Sequence, residues 1–91
     1  MSDVSEFKVV YDKRADVVYI SKRKVAAARG VEDPFGVVWR YDSSGDLIGV
    51  TIVDYYDQWS RRRADLMRDF ADKFHVPPGV AERILEHVRD P

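Results

Sequence analysis

The stretch that most constrains this chain is residues 36–54. Val37, Trp39 and Tyr41 recur at every second position, the polar tetrad Ser43-Ser44-Gly45-Asp46 follows, and Ile48, Val50 and Ile52 resume the alternation. Apolar side chains at period two on either side of a short polar loop are the pattern of two antiparallel strands joined by a hairpin. No residue in the stretch is placed for chemistry, so it fixes an architecture and leaves an activity open.

The rest of the sheet is read outward from this hairpin. Residues 1–5 form a short arm. Phe7, Val9 and Tyr11 alternate as a first strand, residues 12–16 are a turn whose aspartates can bond local backbone amides, and residues 17–20 are a second strand. Residues 24–29 are expected as a weaker third strand, because a six-residue helix bounded by Gly30 is too short to nucleate. A loop over residues 30–34 leads into the hairpin. Beyond Asp54 the period changes. Ala64, Met67, Phe70, Ala71 and Phe74 fall at the three-and-four spacing of an amphipathic helix over residues 60–75, and Pro77-Pro78-Gly79 breaks it. Val80, Ala81, Ile84, Leu85 and Val88 mark a second helix over residues 78–89. The expected fold is α+β: an antiparallel meander of about five strands in residues 6–54, followed by two C-terminal helices packed on one sheet face.

With 91 residues the chain makes a single domain with a thin core. Its formal net charge is -1, with eight Lys/Arg against ten Asp/Glu before Trp59 and seven against six after it. A domain built to hold phosphate backbone carries a clear basic excess, so nucleic acid is disfavoured as the main partner. The absence of cysteine removes disulfides, thiolate metal sites and thiol nucleophiles. Apolar runs reach only four or five residues and the N-terminus lacks a signal-peptide pattern, so no membrane is expected and the cytoplasm is the expected location.

One feature of the strands bears on partners. The first, second and fifth carry apolar residues on both faces: Val10 against Phe7, Val9 and Tyr11, Val17 and Tyr19 against Val18 and Ile20, Val53 against Ile52. A sheet with one solvated face alternates cleanly, so both faces want cover. Two helices supply it for one face. The other is expected to meet a second copy of the chain or another small protein.

The residues Tyr11-Asp12, Ala15-Asp16, Tyr19-Ile20, Gly36-Val37, Tyr41-Asp42, Gly45, residues 47–50 and Ile52-Val53-Asp54, in this order and spacing, resemble the bacterial and archaeal family known as domain of unknown function 2283, over about residues 9–57. The resemblance implies a small β-meander closed by a helix. It carries over no catalytic residue, metal or cofactor, and it suggests a small, antitoxin-like protein partner. Residues 59–91 extend beyond it.

Four constellations compete for a role. The acidic set Asp12, Asp16, Glu32, Asp33, Asp54 and Asp57 gathers at one end of a meander, where it can hold a divalent cation or, as aspartates commonly do, serve turns and caps. Arg61, Arg62 and Arg63 form a basic patch near a helix start, read as an ion-paired surface in preference to a nucleic-acid contact because Asp65, Asp69 and Asp72 follow. His75 and His87 flank the proline break with no partner motif and are read as surface residues. Tyr55, Tyr56 and Trp59 crowd the joint between sheet and helix, as interface anchors or as staples of helix onto sheet, with stapling favoured for at least two. The candidate interaction set is Tyr55, Tyr56 and Trp59 with Val38, Arg40, Thr51 and Val53 of the second face. The expected function is that of a non-enzymatic interaction module, a homodimer or small partner protein, without cofactor. A nucleic-acid accessory role and an enzymatic or metal site at the acidic rim are the alternatives.

Overall fold

The computed structural model describes residues 7–22 and 26–88. Five antiparallel strands, β1 (Lys8–Asp12), β2 (Val17–Ser21), β3 (Arg29–Glu32), β4 (Val37–Tyr41) and β5 (Leu47–Val53), form one sheet, followed by α1 (Tyr55–Phe74) and α2 (Pro78–His87). This is the expected α+β architecture. The strand order is β1-β2-β5-β4-β3. Consecutive hairpins join β3, β4 and β5, and β5 then pairs with β2, so β2 to β5 follow a Greek-key order.

Each hairpin turn is built on an aspartate. The Asp12 carboxylate accepts the Arg14 and Ala15 amides, Asp33 accepts those of Phe35 and Val37, and Asp42 accepts those of Ser44 and Asp46. Gly36 and Gly45 sit at φ 83° and 88°, which a side chain would strain. Between Arg40 and Tyr41 the β4–β5 register slips by one residue. Gly49 lies at that slip, and a Cβ there would stand 2.9 Å from the Ile20 carbonyl, so β2 and β5 approach closely only because position 49 is glycine.

Two boundaries differ from the sequence-based expectation. The third strand was expected over residues 24–29, of which 24 and 25 lie outside the described residues. It is Arg29–Glu32 instead, and the expected loop over residues 30–34 is shortened accordingly. Register decides this: Val31 pairs with Trp39 and Arg29 with Tyr41, whose ring the Arg29 guanidinium overlies at 5.0 Å. The second correction is to the first helix, which begins at Tyr55 and not Ser60. Its N-terminal amides are satisfied from a distant hairpin: the Asp16 carbonyl accepts the Tyr55 N–H at 3.0 Å, and the Asp16 carboxylate accepts that of Tyr56 at 3.1–3.2 Å. Asp54, the local cap residue, contributes no side-chain bond. Within α1 the backbone leaves helical values at Arg62 (φ -127°, ψ 30°).

The core lies between one sheet face and the two helices. Val18, Ile20, Val37, Trp39, Val50 and Ile52 pack against Tyr55, Trp59, Leu66, Phe70 and Phe74 of α1 and Ala81, Ile84 and Leu85 of α2. Phe7 joins them, 5.2 Å from Phe74 and 5.7 Å from Phe70 between ring centroids. His75 closes α1 in the left-handed conformation, φ 55°, with its amide bonded to the Ala71 carbonyl. The arm over residues 1–5, the side chain of His87 and the expected helix end at Arg89 lie outside the described residues.

Candidate functional site

Pairing across the strands defines the sheet face turned away from the helices. Val10 pairs with Tyr19, Tyr19 with Thr51, Thr51 with Val38 and Val38 with Glu32, a row that crosses all five strands. Asp12, Val17 and Val53 lie on one side of this row; Lys8, Ser21, Gly49, Arg40 and Gly30 lie on the other. No helix covers it among the described residues: Val10 is 47% exposed, Tyr19 46% and Val53 39%. Single exposed apolar residues are ordinary; here several are aligned on one regular surface.

Arg40 gives this face its polar feature. The Arg40 Nε donates to Thr51 Oγ1 at 2.9 Å, which fixes the guanidinium above β5. Beside it is a hollow of about 190 Å³ lined by Tyr19, Ser21, Ala27, Arg40, Gly49 and Thr51. Of the expected second-face residues, Val38, Arg40, Thr51 and Val53 are all here. The sequence reading left Tyr19, Ser21 and Ala27 out of the site; the signal for Tyr19 is its register with Thr51, which exists only once β5 is known to pair with β2.

The three aromatics at the joint divide. Tyr55 and Trp59 are 2% and 4% exposed and stack on each other at 5.9 Å, and the Tyr55 hydroxyl donates to the Leu85 carbonyl, so both hold the helices to the sheet. Tyr56 is exposed. Phe35, which the sequence reading passed over, is exposed at the same end of the sheet, and Gln58 ties its carbonyl to that of Val53 through Nε2 bonds of 3.0 and 2.9 Å.

Each arginine of the basic patch has local partners. Arg61 lies 3.7 Å from Asp57 one helical turn back. The Arg62 guanidinium overlies the Phe35 ring at 3.5 Å and donates to Gln58 Oε1 at 3.0 Å. Arg63 reaches Glu82 of α2 at 3.7 Å and overlies the Trp59 ring at 4.6 Å. Arg61 and Arg63 are thus paired within the helices, and Arg62 is turned to the sheet.

The acidic residues do meet at one end, since Val17 pairs with Val53 and Val37 with Ile52. Asp12, Asp16 and Asp33 are engaged in turns and the helix cap described above. Among the described residues no group of three His, Cys, Asp or Glu side chains is arranged to hold a metal ion. Tyr11 donates to Asp16 Oδ1 at 2.7 Å, and that bond, with burial and the nearby Asp16 and Asp12 charges, raises its pKa above the ordinary 10.0. Among the described residues, no helix is long and apolar enough to cross a membrane.

Residues 8–55 match the family described as protein of unknown function (DUF2283). No curated protein and no solved structure matches the chain.

Proposed function

We propose that this chain, which belongs to the DUF2283 family of proteins of unknown function, is a non-enzymatic, cytoplasmic protein–protein interaction module that pairs through its open sheet face. The observation that carries the reading is the row Val10, Tyr19, Thr51 and Val38 with Val17 and Val53 beside it, apolar for the most part and without a helix over it. Burying such a face contributes about 25 cal/mol for each Å² removed from water. The two outer edges are less suited to a partner: β3 has four residues ending in Arg29 and Glu32, and β1 ends in Lys8 and Asp12, and charge at short edges discourages strand addition. A second copy is the first partner to test, because two such faces stack as the halves of a sandwich do; an antitoxin-like pairing with another small protein uses the same surface. Sedimentation equilibrium at tens of micromolar tests the first form. A dimer that Val53→Lys dissociates supports it, and a wild-type chain that stays monomeric removes it.

The nucleic-acid reading is the weaker one, because Arg61, Arg62 and Arg63 each have partners within the chain. A salt-dependent mobility shift with RNA or DNA at low ionic strength would revive it.

A further inference from the structure

We infer that the hollow beside Arg40 is a carboxylate-binding subsite, which receives an acidic side chain presented by the protein that covers the open face. The inference rests on the interaction reading above and adds the chemistry of the partner's anchor. Arg40 is the residue that makes the hollow selective. Its Nε is held by Thr51 Oγ1, and Thr51 is itself buried at 6% exposure, so the guanidinium is presented in a fixed orientation. Among the described residues no carboxylate lies within ion-pair distance of it, in contrast to Arg61, Arg63 and Arg68, each of which has one. The outer edge of the guanidinium, with its Nη donors, is the fork that matches a carboxylate with two parallel bonds.

The surroundings favour a protein carboxylate over other anions. Gly30 stands opposite Arg40, and a Cβ there would lie 2.9 Å from Val38 Cγ1 and 3.6 Å from Arg40 Nη1, so the missing side chain keeps the approach to the guanidinium clear. Tyr19, Ser21, Gly49 and Thr51 line the hollow together with the apolar Ile20, Ile48 and Val50, so the lining is mainly apolar around the one guanidinium. At about 190 Å³ the space suits one side chain. Arg40 is the one cation in the lining, whereas a phosphate would draw on a second, such as Lys8, which pairs with Ser21 in the same row. Arginine and tyrosine together are among the residue types that dominate protein interfaces when desolvated.

The test is an NMR titration of the ¹⁵N-labelled full chain with N-acetyl-glutamate N-methylamide, using the glutamine analogue and inorganic phosphate as comparisons. The expected result is a saturable shift of the Arg40 Nε–H and of the Tyr19, Gly49 and Thr51 amides with the glutamate probe. Affinity for the glutamine analogue should be about tenfold weaker or less, since a bond to a charged acceptor is worth more than a neutral one. Arg40→Gln should abolish the shift, and Arg40→Lys, which keeps the charge and loses the fork, should weaken it; the ¹⁵N spectra of both variants report whether the fold is kept. Equal response to the two amino-acid probes, a preference for phosphate, or a response that survives Arg40→Gln would overturn the subsite. Sedimentation of the same samples separates the two ideas. With the titration run where sedimentation shows monomer, so that no second copy fills the hollow, a monomer that fails to bind the glutamate probe loses the subsite whatever pairing appears at higher concentration, and one that binds it retains the subsite even if no pairing appears at any concentration.

Discussion

The two faces of this sheet are made from alternate residues of the same strands, yet their surroundings differ. On the covered face Val18, Ile20, Val37, Trp39, Val50 and Ile52 are all at most 2% exposed. On the open face Val10, Tyr19 and Val53 are between 39% and 47% exposed. Strand propensity accounts for β-branched residues on either side, but threonine satisfies that preference at an exposed position as well as valine does. The exposed valines at positions 10 and 53 therefore carry apolar surface that a threonine would spare the isolated chain. The difference separates what folding requires from what the chain carries beyond it, and substitutions should divide along the same line.

The largest effect is expected on the covered face. Trp39→Ala removes the side chain that meets Phe74 at 6.3 Å and accepts the Lys73 ammonium over its ring at 5.2 Å. Truncating a buried aromatic costs about 3–5 kcal/mol. Because small domains have only about 5–15 kcal/mol in all, the urea midpoint should fall steeply or the cooperative transition should vanish. Retention of wild-type stability would mean that the helices do not seal this face, and the contrast between the faces would collapse.

Next comes the joint that holds the helices over that face. Asp16 occupies the left-handed region at φ 55° while capping α1 and accepting the Tyr11 hydroxyl. Asp16→Ala should cost about 1–2 kcal/mol through the lost cap, and Asp16→Asn, which tolerates that backbone and still accepts a bond, should cost less. A smaller effect belongs to Tyr11. Its pKa is raised in the folded chain, so the unfolded chain loses its proton first as pH rises. The stability it contributes is then fully present below pH 10.0 and is lost as pH climbs through the folded value. Denaturation measured from neutral pH to above pH 10 should show this decline in the wild type and a flatter profile in Tyr11→Phe, once the remaining tyrosines are common to both.

What the sequence revealed, and what it hid, follows from the range of the interactions. The 36–54 hairpin, the first hairpin and the proline break were legible because period-two alternation, aspartate turns and proline geometry are local. The start of α1 was not, because the group that caps Tyr56 lies 40 residues away at Asp16. The third strand was misplaced because residues 29–32 carry one apolar side chain, Val31, and owe their conformation to pairing with Trp39 and Tyr41. The second face was legible in part. Its apolar excess was visible strand by strand, but the hollow at Arg40 needs Tyr19 and Thr51 side by side, which depends on β5 returning to β2.

The smallest effect on stability, and the most informative, is expected on the open face. Val53→Lys and Tyr19→Ser replace side chains that already meet water, on strands whose backbone pairing is unaffected, so each should change the unfolding free energy by no more than about 0.5 kcal/mol. At dilution too great for pairing, the two variants and the wild type should unfold together. As concentration rises, the wild type should gain stability by mass action, because a partner that binds only the folded chain pulls the equilibrium toward it. The variants should not. The measurement is the unfolding midpoint as a function of protein concentration, and the slope carries the information. A wild-type midpoint independent of concentration excludes the second copy as the cover for this face. A variant slope equal to that of the wild type places the contact elsewhere on the surface. A large loss of stability at high dilution would mean that Val53 and Tyr19 support the monomer after all, and the two faces would then differ in degree and not in kind.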